Sequence, residues 1–293
     1  MRLGINLPFK QPDGSAPTVQ YLMERARQLE RIGFDGIWIG DTVGRWNFTG
    51  IDTLQFLTAA AAATERIELG TAVMQVPLRK PVEFANRLMT LQGMSGGRFW
   101  AGLGSGSLPT DFDAVGVDHS ARFRLLKEGA ETIKKLLNGE TVGEANIRPW
   151  PDVQGKVPII IAAWYNGPWL RRAAQEYDGW MASAFNTNFN AFKEGMQRYR
   201  DAGGTGRTLI ATVGVNLKAE SKPLKDDERW NLVCRPEEAR ERLARVAELG
   251  FQDVLVARLN YSSDDWPEED LIQLRELWPR EATGNRQQAT RGS

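Results

Sequence analysis

A single cysteine, a single histidine and no excess charge of either sign deprive the 293-residue sequence of several common chemistries. Cys234 alone makes no internal disulfide. With His119 as the one imidazole, the usual ligands of zinc, haem and iron–sulfur centres are missing, and no metal is expected. The 37 basic side chains balance the 37 acidic ones, so no global field attracts nucleic acid or anionic lipid. No apolar run approaches the roughly 20 residues of a membrane span, and the first apolar run is too short for a secretory signal. A reducing cytoplasm is the expected location, with neither nucleic acid nor membrane as partner.

What is present is ordinary globular material: 42% hydrophobic and 25% charged residues, enough for one large α/β domain. Short apolar runs at 3–7, 36–40, 67–76, 98–103, 157–163, 179–183, 209–217 and 253–257 read as buried strands. Between them, apolar residues at helical spacing cover 19–32, 54–63, 82–94, 121–137, 169–176, 189–202, 236–249 and 268–277. Eight strand and helix pairs predict a single (β/α)8 TIM barrel over 1–280, with a doubly wound open sheet as runner-up. Residues 281–293 read as a flexible polar tail. Two insertion loops, 104–120 after the fourth strand and 139–156, break the regular spacing and are expected to act as flaps that carry substrate specificity.

In such a barrel the active site lies at the C-terminal ends of the strands. Asn6, Asp41, Thr42, residues 72–75, 104–107 and 164–167, Ser183, Asn216 and Arg258 fall there. Thr, Ser, Asn and Trp without histidine suit chemistry carried by a bound cofactor. The run AGLGSGS lets backbone approach a flat ligand, yet it completes neither a Walker loop nor a dinucleotide fingerprint and serves equally as a tight turn. The run AWYNGP opens a helix, where free amides hold phosphate, although the same residues also make plain helix-opening turns.

Other candidates have a blander reading. His119 precedes a long helix and is expected to be an exposed cap-region residue. Lys218 is the one candidate for a Schiff base, but it falls past the seventh strand and is expected in solvent. Asp111 and Asp113 form an acid and base pair or, more simply, turns. Trp38, Trp100 and Trp180 are expected to be buried, while Trp46 and Trp164, beyond strand ends, are placed to stack on an aromatic ligand.

Three blocks, GFDGIWIGD, IELGTAVMQVPLRKPVEFANRLMTLQGMSGGRFWAGLGSG and IIIAAWYNGPWLRRAAQEYDGW, resemble, in order, the signatures of the bacterial luciferase-like superfamily of flavin- and deazaflavin-dependent oxidoreductases and monooxygenases. The resemblance covers roughly 3–277. It implies FMN or coenzyme F420 as cofactor, and a hydride transfer to or from, or oxygenation of, a small organic substrate. Thr71, Ala72 and Val73 would press on the ring system, with a non-prolyl cis peptide joining Ala72 to Val73. Gly104, Ser105 and Ser107 would line its other side, near Asn6, and Ala163, Trp164, Tyr165, Asn166, Gly167 and Pro168 would hold the phosphate.

Asp41 and Trp46 match a motif found after the second strand of many members, which tilts the expectation toward F420. Thr42 stands where those members have histidine, and Ser107 where some sugar-oxidising members have glutamate. Both changes remove a proton acceptor and speak against alcohol or sugar-phosphate dehydrogenation. Asp41, Thr42 and Trp46 are the residues that the resemblance makes catalytic. It also implies a homodimer, here through the alanine-rich 54–63, and a separate reductase as supplier of reduced cofactor. The alternatives are a flavin-binding protein without turnover and, from another class, a phosphate-binding lyase or isomerase built on Lys218 and Asp41.

Overall fold

A computed structural model describes residues 1–6, 11, 13, 15–44, 51–258 and 266–278. The strands are β1 (Arg2–Asn6), β2 (Gly36–Ile39), β3 (Glu68–Thr71), β4 (Met74–Gln75), β5 (Phe99–Gly104), β6 (Ile159–Ala162), β7 (Gly179–Ser183), β8 (Arg207–Asn216), the short β9 (Leu232–Val233) and β10 (Asp253–Arg258). All pair in parallel, β3 and β4 form one broken stave beside β5, and β9 extends the far end of β8. β1 bonds to both β2 and β10, and β10 bonds to β8, so eight staves close into a ring without an edge. The barrel is the TIM barrel expected, and the open sheet is excluded.

The helices α1 (Val19–Ile32), α2 (Thr53–Ala63), α3 (Pro81–Met94), α4 (Pro109–Asp113), α5 (Arg122–Leu137), α6 (Pro168–Glu176), α7 (Phe189–Asp201), α8 (Pro236–Glu248) and α9 (Glu268–Glu276) follow the strands. Local signals set their ends. Thr18 caps α1 by accepting the Tyr21 amide at 3.2 Å, and Gly33, with φ of +97°, stops it. Leu22, Ala26 and Leu29, spaced by four and three residues, are its buried face. Each such leucine contributes roughly 1.5–3 kcal/mol by leaving water.

Arg98, from the GGRF block, has a structural task. Its guanidinium donates to the carbonyls of Ala61, Thr64, Ile67 and Ser95 and to the Thr64 hydroxyl, at 2.8–3.1 Å. It thereby ties the end of α2 to the entries of β3 and β5.

The barrel lumen is filled by Trp38, Ile160, Met181, Leu209, Ala211 and Leu255. Trp38 takes most of the space, and Gly70 beside it has none for a side chain, since an added Cβ would lie 2.2 Å from the indole. Trp38 and Trp180 are buried as expected, whereas Trp100 is only half-buried and faces the N-terminal end.

That N-terminal end is closed by charge. Arg207, with 7% of its side chain exposed, meets Asp253 at 2.6 Å and Glu68 at 2.8 Å, while its guanidinium lies 4.4 Å from the Trp100 ring. Arg2 bonds to the same two carboxylates. A cavity of about 560 Å³ opens beside this cluster, bordered by Met1, Trp100, Phe251 and Gln252. It lies on the face opposite the expected active site.

The segment 139–156 also belongs to that face, which corrects its expected role as a substrate flap. Gly155 donates to the Leu137 carbonyl at 3.0 Å, Gln92 to the Lys156 carbonyl at 2.5 Å, and the Trp150 ring packs near Gly93. Those anchors are the last turns of α3 and α5, which lead into the strands' N-terminal ends. The other insertion, 104–120, stays at the C-terminal mouth and contains α4.

Candidate active site at the barrel mouth

The broken stave builds the centre of the mouth. Gly70 pairs with Trp100 and Met74 with Leu103, so four steps along one strand face three along the other. The extra residue falls where the peptide between Ala72 and Val73 is cis, as the resemblance implies. This segment is sewn to β2, because Ala72 donates to the Ile39 carbonyl at 2.7 Å and Asp41 to the Val73 carbonyl at 3.1 Å. Thr71 is fully buried and donates its hydroxyl to the Gly102 carbonyl at 2.8 Å, so its side chain serves the sheet.

Small apolar groups converge above the lumen. A Cβ on Gly104 would stand 2.6 Å from Val73 Cγ2 and 3.7 Å from the Ala162 Cβ, so only glycine permits this approach. Ala72, Val73 and Ala162 are half-buried on top of the lumen cluster. They form an apolar floor. Ser105 is half-buried and Ser107 exposed on the turn after β5, and Asn6 and Thr42 are half-buried at the ends of β1 and β2. Trp46 lies outside the described residues, as does the expected tail 281–293, and of Arg258 only the backbone is described.

One wall carries charge. The Asp41 carboxylate, 4% exposed, meets Arg79 at 2.6 Å and accepts the Gln75 amide at 3.0 Å. Burial pushes its carboxyl above the ordinary carboxylate value, against the pull of Arg79 and with help from nearby Asp111. Asp111 is fully buried in α4 and accepts from Gln75 Nε2 at 2.9 Å, whereas Asp113 is exposed. Asp111 is therefore not a simple turn former and the two do not form a pair, whereas Asp113 does open a turn, its carbonyl accepting the Gly116 amide at 3.2 Å. His119 is half-buried rather than exposed, edge-on to Phe112 with ring centroids 4.8 Å apart.

The opposite wall is the turn before α6. Ala163 is fixed from both sides: its amide donates to Met181 at 3.2 Å and its carbonyl accepts the Trp180 indole N–H at 2.9 Å. Gly167 donates to the Trp164 carbonyl at 3.0 Å and precedes Pro168, the first helical residue. Tyr165 packs against α7 at Gly195, while Trp164 and Asn166 stay exposed. The helix axis so placed directs its N-terminal amides at the mouth.

Sequence reading placed Gln75 among the strand-end residues 72–75 without a role, missed Arg79, and expected Trp180 to be buried without its hold on the Ala163 carbonyl. The signal for the first two was the polar pair in the run MQVPLRKP, next to a strand end already suspected. Lys218 is brought nowhere near the floor: its side chain is 71% exposed and pairs with Asp270 at 2.8 Å. That removes the Schiff-base reading and, with it, the lyase or isomerase alternative built on this lysine.

Comparison with known proteins agrees with this architecture. Residues 1–219 match the profile described as luciferase-like monooxygenase. The chain is 29% identical to limonene 1,2-monooxygenase of Rhodococcus erythropolis over 197 residues, covering 62% of this chain and 49% of that enzyme. It is 27% identical over 225 residues to the F420-dependent glucose-6-phosphate dehydrogenase of Amycolatopsis mediterranei, covering 71% of this chain and 62% of the other. Thus the matched region is less than two thirds of either relative. The FMN-bound oxygenating constituent of 3,6-diketocamphane monooxygenase from Pseudomonas putida superimposes with a TM-score of 0.73 at 17% identity, covering 94% of this chain and 96% of that one. The F420-dependent tetrahydromethanopterin reductase of Methanopyrus kandleri gives 0.70 at 18%, covering 93% and 96%. At such identities the structural likeness speaks for the fold alone. The match over residues 1–219 shows that the chain belongs to the luciferase-like monooxygenase family.

Proposed function

We propose that the protein is an oxidoreductase that holds FMN or coenzyme F420 at the barrel mouth and acts on a small organic substrate. The observation that carries this reading is the apolar floor of Ala72, Val73, Gly104 and Ala162 facing the helix-opening turn of Trp164, Tyr165, Asn166 and Gly167. A flat ring system fits the floor, and a phosphate fits the amides of the turn. The bound cofactor supplies the hydride or, as reduced flavin, the reaction with dioxygen.

The protein's groups bind, orient and exclude water. Ala72, Val73 and Ala162 give the ring a dry bed. Asn166 and Gly167 take the phosphate, and Trp180 holds their loop through the Ala163 carbonyl. Gly104, Ser105 and Ser107 edge the opposite side, with Asn6 nearby. Trp164, half exposed at the rim, offers a surface on which an aromatic or apolar substrate stacks.

Asp41 acts here as a holding residue, because its carboxylate is committed to Arg79 and to the Gln75 amide. Its match to the motif of F420-using members thus favours neither cofactor. A separate reductase supplies reduced cofactor in the FMN version, and a homodimer would use the outward side of α2, where Gln55 and Ala62 are exposed. Light scattering that finds only monomer removes the dimer.

The test is titration of the purified protein with FMN and with F420, read by fluorescence quenching and thermal shift. Micromolar or tighter binding of one supports the reading and selects the cofactor. Binding of neither by a folded protein overturns it. Tight binding without turnover of the reduced cofactor, under oxygen or with carbonyl acceptors, indicates a carrier protein without catalysis.

A further inference from the structure

Gln75, the last residue of β4, is 5% exposed, and each of its polar groups meets a different part of the mouth. Its amide N–H donates to Asp41 Oδ2 at 3.0 Å, and its carbonyl accepts from Arg79 at 3.1 Å. The side-chain Nε2 donates to Asp111 Oδ2 at 2.9 Å and reaches the Asp41 carbonyl at 3.5 Å. Its Oε1 lies against Gly106, where an added Cβ would come within 2.5 Å, and Gly106 has a φ of +75°. One side chain therefore joins the loop after β2, its own stave and the loop after β5.

We propose that Gln75 is a positioning residue that sets the gap between the Ala72 and Val73 floor and the glycine-rich turn at Gly104 and Gly106, and so the fit of the flat cofactor held there. The proposal rests on the cofactor-binding reading above. Only an amide serves at this place. Asp111 needs a donor, Gly106 leaves no room for a larger group, and a carboxylate would put two like charges within hydrogen-bond distance. The charged groups facing this side chain among the described residues are Asp41, Arg79 and Asp111.

The test compares wild type, Gln75→Leu and Gln75→Glu in titrations with FMN and F420 across a pH series, alongside melting of the cofactor-free proteins. Gln75→Leu leaves Asp111 without that donor and is expected to weaken cofactor binding by roughly tenfold or more while the protein stays folded. Gln75→Glu, when protonated, still donates one hydrogen bond to Asp111. Its affinity should approach that of wild type at acid pH and fall as the pH rises, more steeply than for wild type. Wild-type affinity in both variants at every pH overturns the proposal, as does lowered melting with unchanged affinity, which would mean a purely structural role.

Should wild type bind neither cofactor, the functional reading fails separately. Melting of the cofactor-free Gln75→Glu protein then tests only the contact of Gln75 with Asp41 and Asp111, not the fit of a cofactor. A loss of stability with rising pH that wild type lacks supports that contact, and parallel curves overturn it. If Gln75→Leu does not fold, the pH dependence of cofactor affinity in Gln75→Glu decides by itself.

Discussion

The two ends of the barrel use opposite means to close the same cylinder. At the N-terminal end, four charged side chains, Arg2, Glu68, Arg207 and Asp253, interlock over Trp38 and Trp100, and the roughly 560 Å³ cavity lies there. At the C-terminal end, small apolar groups make the floor, and among the described residues Asp41 and Arg79 put an ion pair in one wall. A hollow thus accompanies the end that stabilises, while the expected site lies at the opposite end of the strands.

This contrast is broken most forcefully at the charged end. Asp253→Ala would leave Arg207 buried with one acidic partner fewer, and the expected loss is about 3–5 kcal/mol of unfolding free energy. Urea denaturation should show this loss while the affinity of the remaining folded protein for FMN or F420 stays as in wild type. Gly104→Ala inverts the pattern. Its methyl group collides with Val73, costing about 1–3 kcal/mol of stability. Cofactor titration should show that the damage to binding exceeds anything seen for Asp253→Ala.

Two carboxylates sharpen the comparison through pH. Glu30, at the N-terminal end, is pushed up by burial but more strongly pulled down by the backbone amides of Arg66, Ile67 and Glu65, so its folded value lies below the ordinary one. Its contribution is present above the unfolded value and disappears as the pH falls through the folded value. Asp41 at the mouth has a raised folded value, so its contribution is present below the unfolded value and disappears as the pH rises through the folded one. Denaturation midpoints across pH should show Glu30→Gln flattening the limb below the ordinary glutamate value and Asp41→Asn flattening the limb that begins at the ordinary aspartate value and runs upward. Lys218→Ala is the smallest change. Its exposed pair with Asp270 contributes about 0–1 kcal/mol, and cofactor binding should not respond.

The alternation of strands and helices was legible because each element carries its own period and its own stop, as with Thr18 and Gly33 around α1. What escaped reading depends on contacts distant in sequence. The run 67–76 looks like one strand, and its break at Ala72 and Val73 is visible only against β5, where the register skips. Asp111 resembled a turn residue because its partner, Gln75, lies 36 positions away. The segment 139–156 has a flap's composition, yet its face is decided by what precedes it: it follows a helix, so it emerges at the strands' entry side. The cis peptide, by contrast, came from resemblance, since nothing in local propensity announces it.

That last segment has a practical consequence. Gly143 sits in a tight turn of 139–156, with φ of +60° and open space around its Cα. A linker, affinity handle or electrode tether grafted there would attach the enzyme by its base and leave the mouth turned toward the solution. Orientation on a support is thereby built into the topology, without any change at the apolar floor of the mouth.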